Sequence, residues 1–233
     1  FAGAIKDIQW DGESKRIVVV GAGSNIKTKC VMWDTGNAVG EMVGHQKTVL
    51  SVAYRQQRPF RIFTGGEDFK CVFYKGPPFK LDHSCTEHSN YVNQVCYSRD
   101  GSHIASVGSD KKIVLYEGKE GTVEETLPVK HQGSVYCVAF SEDGSRLLTG
   151  GADKALKVWK VQSGVLSLLA EPRHRRATRT RRQAAATPST RYHTGRPRRG
   201  RARVQHGDGQ GRGGHAVGRL LGPRPGSVRV SIR

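Results

Sequence analysis

The chain has 233 residues, with 38 Lys and Arg against 20 Asp and Glu, for a formal net charge of +18 at pH 7. That charge is uneven: residues 1–170 hold 21 basic and 18 acidic side chains, whereas residues 171–233 hold 17 Arg, no Lys and only Glu171 and Asp208. The five cysteines (Cys30, Cys71, Cys85, Cys96 and Cys137) are odd in number and show no C-x-x-C spacing, which argues against a disulfide framework and against a zinc site. No apolar run approaches the ~18 residues of a membrane span, and no Asn-x-Ser/Thr sequon occurs. These bounds point to a reducing, intracellular compartment with no membrane contact and no cofactor.

From the N-terminus, short runs of alternating apolar residues predict strands at Ile5–Trp10, Arg16–Val20, Cys30–Trp33 and Ala38–Val43. Val49–Tyr54 opens a second group. A third group reads Val92–Tyr97, Ile104–Val107, Ile113–Tyr116 and Val123–Leu127, and a fourth Val135–Phe140, Arg146–Thr149, Leu156–Trp159 and Val165–Leu169. Asp100-Gly101 and Asp143-Gly144 fall between the first two strands of their groups, where tight hairpin turns favour that dipeptide.

A polar pattern recurs across these groups. His45, Asp68 and Tyr74 are followed by His88, Asp110 and Tyr116 and then by His131, Asp153 and Trp159, with a hydroxyl four residues before each aspartate at Thr64, Ser106 and Thr149. A period near 40 residues with this composition marks a four-stranded propeller blade. The first group carries Trp33-Asp34 but has Lys27 in the aspartate position and no preceding histidine, so its polar set is absent. The fold class is therefore all-β: about four blades of a WD-repeat β-propeller, near residues 1–43, 44–86, 87–130 and 131–170. The chain opens at Phe1 rather than Met, and four blades are few for a closed ring, so residues 1–170 read as a piece of a larger propeller followed by a tail.

Two features suggest enzymes, and neither survives inspection. His, Asp and a hydroxyl have the composition of a catalytic triad, but they recur once per blade, whereas an active site should occur once. Val18–Gly23 looks like a strand running into a dinucleotide-binding turn, yet the third glycine position holds Ile26 and no helix follows to receive a phosphate. The reading is a non-enzymatic interaction protein, with a generic repeat scaffold as the alternative.

Four stretches resemble the actin-interacting protein 1 (WD-repeat protein 1) family: Phe1–Ile8, Ser14–Gly21, Arg58–Ile62 and Gly76–Lys80, the Gly-Pro-Pro-Phe-Lys run being the most specific. The resemblance covers about residues 1–170. It implies blades from the first of two seven-bladed propellers, and a protein of the cytoplasm and cytoskeleton that binds actin filaments and helps cofilin-type proteins disassemble them. The family's actin- and cofilin-facing surface maps onto Glu67, Lys80, Leu81 and Tyr91. Glu67 keeps an acid and Lys80 a cation. Tyr91 keeps a ring, whereas Leu81 replaces an aromatic and Asn25 stands where an acid is common.

Residues 171–233 contain Arg-Arg, Arg-Gly and Gly-rich runs, one aromatic at Tyr192 and no strand alternation. Taken literally, this is a disordered polycation that would bind nucleic acid non-specifically through charge. The absence of Lys among its cations suggests out-of-frame translation instead. Permitted codons for residues 205–217 and 220–232, read one base later, give peptides similar to the family's next blade.

Overall fold

The computed structural model describes residues 1–128 and 130–172. The expectations for the tail beyond residue 172 lie outside the described residues. The described chain is all-β, with sixteen strands in four sheets that are antiparallel except where β4 joins the second. Sheet one contains β1 (Ile5–Trp10), β2 (Arg16–Gly21) and β3 (Thr28–Met32). Sheet two runs outward through β5 (Val49–Tyr54), β6 (Arg61–Gly66), β7 (Cys71–Lys75) and β8 (Phe79–Cys85), with β4 (Gly40–Glu41) added at its outer edge. Sheet three contains β9 (Val92–Tyr97), β10 (His103–Gly108), β11 (Ile113–Glu117) and β12 (Val123–Leu127). Sheet four contains β13 (Val135–Phe140), β14 (Arg146–Gly151), β15 (Leu156–Gln162) and β16 (Val165–Ala170).

Successive strand residues point to opposite faces of a sheet, so a sheet sandwiched between two others needs apolar residues on both. β7 and β11 are buried on both faces. Val72 and Tyr74 join a cluster with Val18, Val20 and Cys30 of sheet one, while Phe73 between them joins a cluster with Val95 and Ile104 of sheet three. Leu115 of β11 likewise packs toward Leu147 and Trp159 of sheet four. Each fully buried Val, Leu or Phe contributes about 1.5–3 kcal/mol relative to exposure, so the three clusters hold the sheets face to face.

Polar links add register between neighbours. Asp7 of β1 accepts from Ser51 Oγ (2.9 Å) and Val52 N (3.0 Å) of β5. Gln94 Oε1 of β9 accepts from Val138 N of β13 at 2.8 Å. The outermost faces have no such neighbour: Ile8 and Trp10 in sheet one, and Tyr136, Leu148 and Leu168 in sheet four, are exposed.

The first group departs from the sequence reading. Its third strand is Thr28–Met32, and Trp33 lies beyond it. The expected fourth strand over Ala38–Val43 does not form on sheet one. Ala38 makes one isolated bridge to Val31, and Gly40–Glu41 pair in parallel with Phe79–Lys80 of sheet two. Gly40, at φ 101°, is pressed against the Phe79 backbone, where a Cβ would sit 2.1 Å from the carbonyl oxygen. Its missing side chain permits that edge contact, which diverts the segment to the neighbouring sheet.

Candidate functional site

Each of sheets two to four holds one His–hydroxyl–Asp set, built from three pieces of chain. The histidine lies in the loop before the innermost strand, the hydroxyl on the second strand, and the aspartate in the turn between second and third strands. His45 Nδ1 lies 3.0 Å from Asp68 Oδ1, and its Nε2 lies 2.8 Å from Thr64 Oγ1. His88 Nδ1 is 3.0 Å from Asp110 Oδ2, and Nε2 is 2.7 Å from Ser106 Oγ. His131 repeats this with Asp153 (2.9 Å) and Thr149 (2.8 Å). Glycines precede the aspartates where a side chain would strike the pair. A Cβ on Gly108 would lie 2.7 Å from Asp110 Oδ1 and 2.9 Å from His88 Nδ1.

Numbered by their sheets, the sets are the second, third and fourth, and chemistry fixes two hydrogen-bond directions in the fourth. Trp159 Nε1–H only donates, and Thr149 Oγ1 accepts it at 2.9 Å. Asp153, a carboxylate, only accepts, so His131 Nδ1–H donates to it, and His131 Nε2 meets the Thr149 hydroxyl on its other side. In the third set the Tyr116 hydroxyl takes the place of the indole, 3.2 Å from Ser106 Oγ and 3.8 Å from Cys71 Sγ. In the second, Tyr74 is buried but its hydroxyl completes no hydrogen bond. Burial pushes that phenol up to about 12, and the nearby Thr28 and Thr64 hydroxyls only moderate the rise.

Burial alone would raise the pKa of Asp68 and Asp110, but the His45 and His88 hydrogen bonds and the backbone N–H groups of the turns outweigh it and hold both below the usual carboxylate range. For Asp153 burial is again opposed, here first by the Ala155 and Gln132 N–H groups and then by His131, with the same net lowering. Thr64, Ser106 and Thr149 are buried, so no substrate reaches a hydroxyl. What these sets do is tie a hairpin turn to the loop beside it. Among the described residues no group of three or more His, Cys, Asp or Glu is arranged to hold a metal ion.

The other sequence-derived positions fall at two ends of the blades. Glu67 lies in the β6–β7 turn, its N–H bonded to Thr48 O at 2.8 Å, and Tyr91 lies in the loop before β9 at the same end. Lys80 and Leu81 start β8, opposite Lys75 and Tyr74, and so lie toward the other end of β7. All of these except the half-buried Glu67 are exposed. Asn25 is exposed in the β2–β3 connection. The structure thus brings Glu67 and Tyr91 to one end and leaves Lys80 and Leu81 apart from them.

Sequence reading missed Phe69 and Lys47. The Phe69 ring meets Tyr91 at a centroid distance of 5.6 Å, and Lys47 Nζ stands 5.6 Å over the same ring. The available signal is alignment of the turns: Phe69, Lys111 and Lys154 each follow the set's aspartate, and all three have positive φ, at 68°, 68° and 61°. An aromatic there breaks the pattern set by the other two blades.

Comparison with known proteins agrees with this architecture. The WD domain, G-beta repeat model matches residues 79–117 and 122–160. Each match starts on the outer strand of one sheet and ends on the third strand of the next, so one sequence repeat spans two blades and joins them covalently. The chain carries WD repeats, and its sheets are blades of a WD-repeat β-propeller. Over 138 residues it is 46% identical to WD repeat-containing protein 1-B of Xenopus laevis, and over 139 residues 47% identical to Actin-interacting protein 1-2 of Arabidopsis thaliana. WD repeat-containing protein 1 of Rattus norvegicus is 44% identical over 138 residues. These alignments cover 58% of this chain and 23% of each relative, so the chain spans about a quarter of the proteins it matches.

Proposed function

We propose that this chain is a non-enzymatic interaction module that binds actin filaments and promotes their cofilin-dependent disassembly in the cytoplasm. The observation that carries the reading is the identity of 46–47% to WD repeat-containing protein 1-B and to a relative named for interaction with actin. The geometry is compatible with a binding role, because the repeated polar sets are sealed inside the blades and the side chains left to meet a partner are those of turns and edges. Glu67 with Tyr91, and Lys80 with Leu81, are two separate candidate contacts, one toward each end of sheet two.

Filament sedimentation with and without cofilin tests this. The chain should pellet with filaments, and cofilin should increase the actin released to the supernatant. Glu67→Ala with Tyr91→Ala and Lys80→Ala with Leu81→Ala should each weaken binding, and combining all four changes should weaken it most. A chain that stays in the supernatant at every filament concentration would sink the proposal.

A further inference from the structure

The two ends of the blades differ in how their charges are used. At the end holding the β1–β2, β7–β8, β9–β10 and β13–β14 turns, charges pair across and within sheets. Arg16 bonds Asp11, Arg58 bonds Glu13, Lys75 bonds Asp82 and Glu120, and Arg99 bonds Glu142. At the other end Lys47, Lys70, Lys111 and Lys154 form no ion pair among the described residues. The carboxylates of Asp68, Asp110 and Asp153 at that end are committed to histidines. Glu67 and Glu87 are the nearby half-buried acids.

Within that basic end, Phe69 and Tyr91 form an exposed aromatic pair with Lys47 over it. The pair is held in place. Tyr91 O accepts from Ser109 N at 2.8 Å, which ties the turn bearing Lys111 and Lys112 to the residue that carries the ring, and Tyr91 N donates to Asn90 Oδ1 at 2.8 Å. Phe69 occupies a left-handed backbone position, φ 68°, which is strained for a residue with a side chain. An exposed aromatic held there gains nothing for the core. Rigid aromatic area is enriched at interface hot spots, and lysines around it add charge at the polar rim.

We propose that the Lys47–Phe69–Tyr91 cluster is the docking point for an acidic protein segment that also carries an apolar side chain. The inference deepens the interaction-module reading and rests on it, but it does not depend on which protein is bound. The unpaired lysines supply charge complementarity to carboxylates, and the ring pair supplies apolar area at their centre. Nucleic acid fits less well. Lys47 already stands over the Phe69 ring and Tyr91 lies beside it, so a stacked base would have to displace one of them. Glu67 and Glu87 would also repel a run of phosphates, and the unpaired cations are Lys rather than the bidentate Arg that phosphate favours.

The test uses the full chain and Phe69→Lys, a change that copies the residue and backbone angle of the next two turns and so preserves folding. It adds a positive charge while removing the ring, so charge-driven and ring-driven binding move in opposite directions. The probes are a random copolymer of glutamate and tyrosine, polyglutamate, oligo-dT, and phosphatidylserine vesicles, at moderate salt. The copolymer should bind more tightly than polyglutamate. Phe69→Lys should lower copolymer affinity about tenfold and leave polyglutamate affinity unchanged or raised. Because the Arg-rich residues 171–233 contribute to any polyanion binding, amide exchange locates the contact. Copolymer should protect residues 45–48, 67–70 and 89–92 while leaving 98–102 unchanged. Equal or tighter copolymer binding by Phe69→Lys overturns the proposal, as does Phe69-dependent binding of oligo-dT or vesicles that matches the copolymer. If the wild-type chain fails to sediment with filaments while the copolymer result holds, the filament reading falls and the docking point stands.

Discussion

Sheets one and four both leave an apolar face exposed, yet they are built to different standards. Sheet four keeps four strands in antiparallel register as far as Ala170, and its Trp159 is 1% exposed. Sheet one has three strands, loses the following segment to its neighbour, and leaves Trp33 60% exposed. The chemical difference is the polar set. In sheet four, Asp153 accepts from Gln132 N (3.0 Å) and Ala155 N (3.1 Å) and faces His131, so one carboxylate joins the turn to the loop and His131 reaches Thr149, which seats the indole. Sheet one has Lys27 in that place, and its turn is closed by local bonds, Gly21 N to Lys27 O and Lys27 Nζ to Ser24 O. The set is thus a clasp for a hairpin and a seat for an aromatic; Trp33 lacks both that seat and the preceding sheet against which Tyr74, Tyr116 and Trp159 pack among the described residues.

Acid should open this comparison furthest, because it acts on all three clasps together. The folded pKa values of Asp68, Asp110 and Asp153 lie below the ordinary 3.8. Stability from these groups is therefore fully present above about pH 4 and is lost as pH falls through the lowered values. Amide exchange across that range should show protection collapsing in sheets two to four. Sheet one, which has no clasp, should change less relative to its starting protection. Parallel loss in all four sheets would mean the clasps do not set the acid response.

Removing one clasp comes next. Asp110→Ala leaves the buried His88 Nδ1–H and the Lys112 N–H without their acceptor, and losing hydrogen bonds to a charged group costs about 1.5–3 kcal/mol. Lys27→Ala at the matching position of sheet one should change stability by no more than about 0.5 kcal/mol. Urea midpoints of the two variants measure the contrast, and similar shifts would break it.

Much of this architecture is legible in the sequence because the repeat is covalent. A histidine and an aspartate 22 or 23 residues apart bracket one inner strand and one hairpin, and few folds return the chain to the same point at that spacing. Strand limits such as Val92–Tyr97 and Val135–Phe140 follow from alternation bounded by turns. The fate of Ala38–Val43 is not legible, since a lone edge segment pairs with whichever sheet lets its backbone approach, and Gly40 against Phe79 decides that in three dimensions. The candidate surface is only half legible for a similar reason. Glu67 and Lys80 are 13 residues apart, yet one strand, β7, sends them toward opposite ends. Phe69 meets Tyr91 only because the turn of one blade folds beside the loop that opens the next.

The clasps also differ in how each ends, and single hydroxyl deletions sharpen that difference. Tyr116 OH reaches Ser106 at 3.2 Å, so Tyr116→Phe should cost about 1 kcal/mol, the worth of one buried hydrogen bond. Loss well below that would mean Ser106 is satisfied by His88 alone.

Tyr74→Phe should have the smallest effect of all, and its sign is the informative part. Tyr74 is fully buried, its ring packs with Val18, Val20 and Tyr54, and its hydroxyl completes no hydrogen bond. The neighbouring Thr64 hydroxyl has one proton and two acceptors in reach, His45 Nε2 at 2.8 Å and Val72 O at 3.3 Å, and the shorter contact claims it. A buried hydroxyl without a partner carries a desolvation cost of about 1–3 kcal/mol. Phenylalanine keeps the ring packing and removes that cost, so the variant should be unchanged or more stable by up to about 1 kcal/mol. A rise in the thermal midpoint for Tyr74→Phe beside a fall for Tyr116→Phe would establish that the second clasp ends at Thr64 and the third runs through to its tyrosine. A fall for both would mean that the Tyr74 hydroxyl is held in solution by Thr28 or Thr64, and that the two clasps are alike.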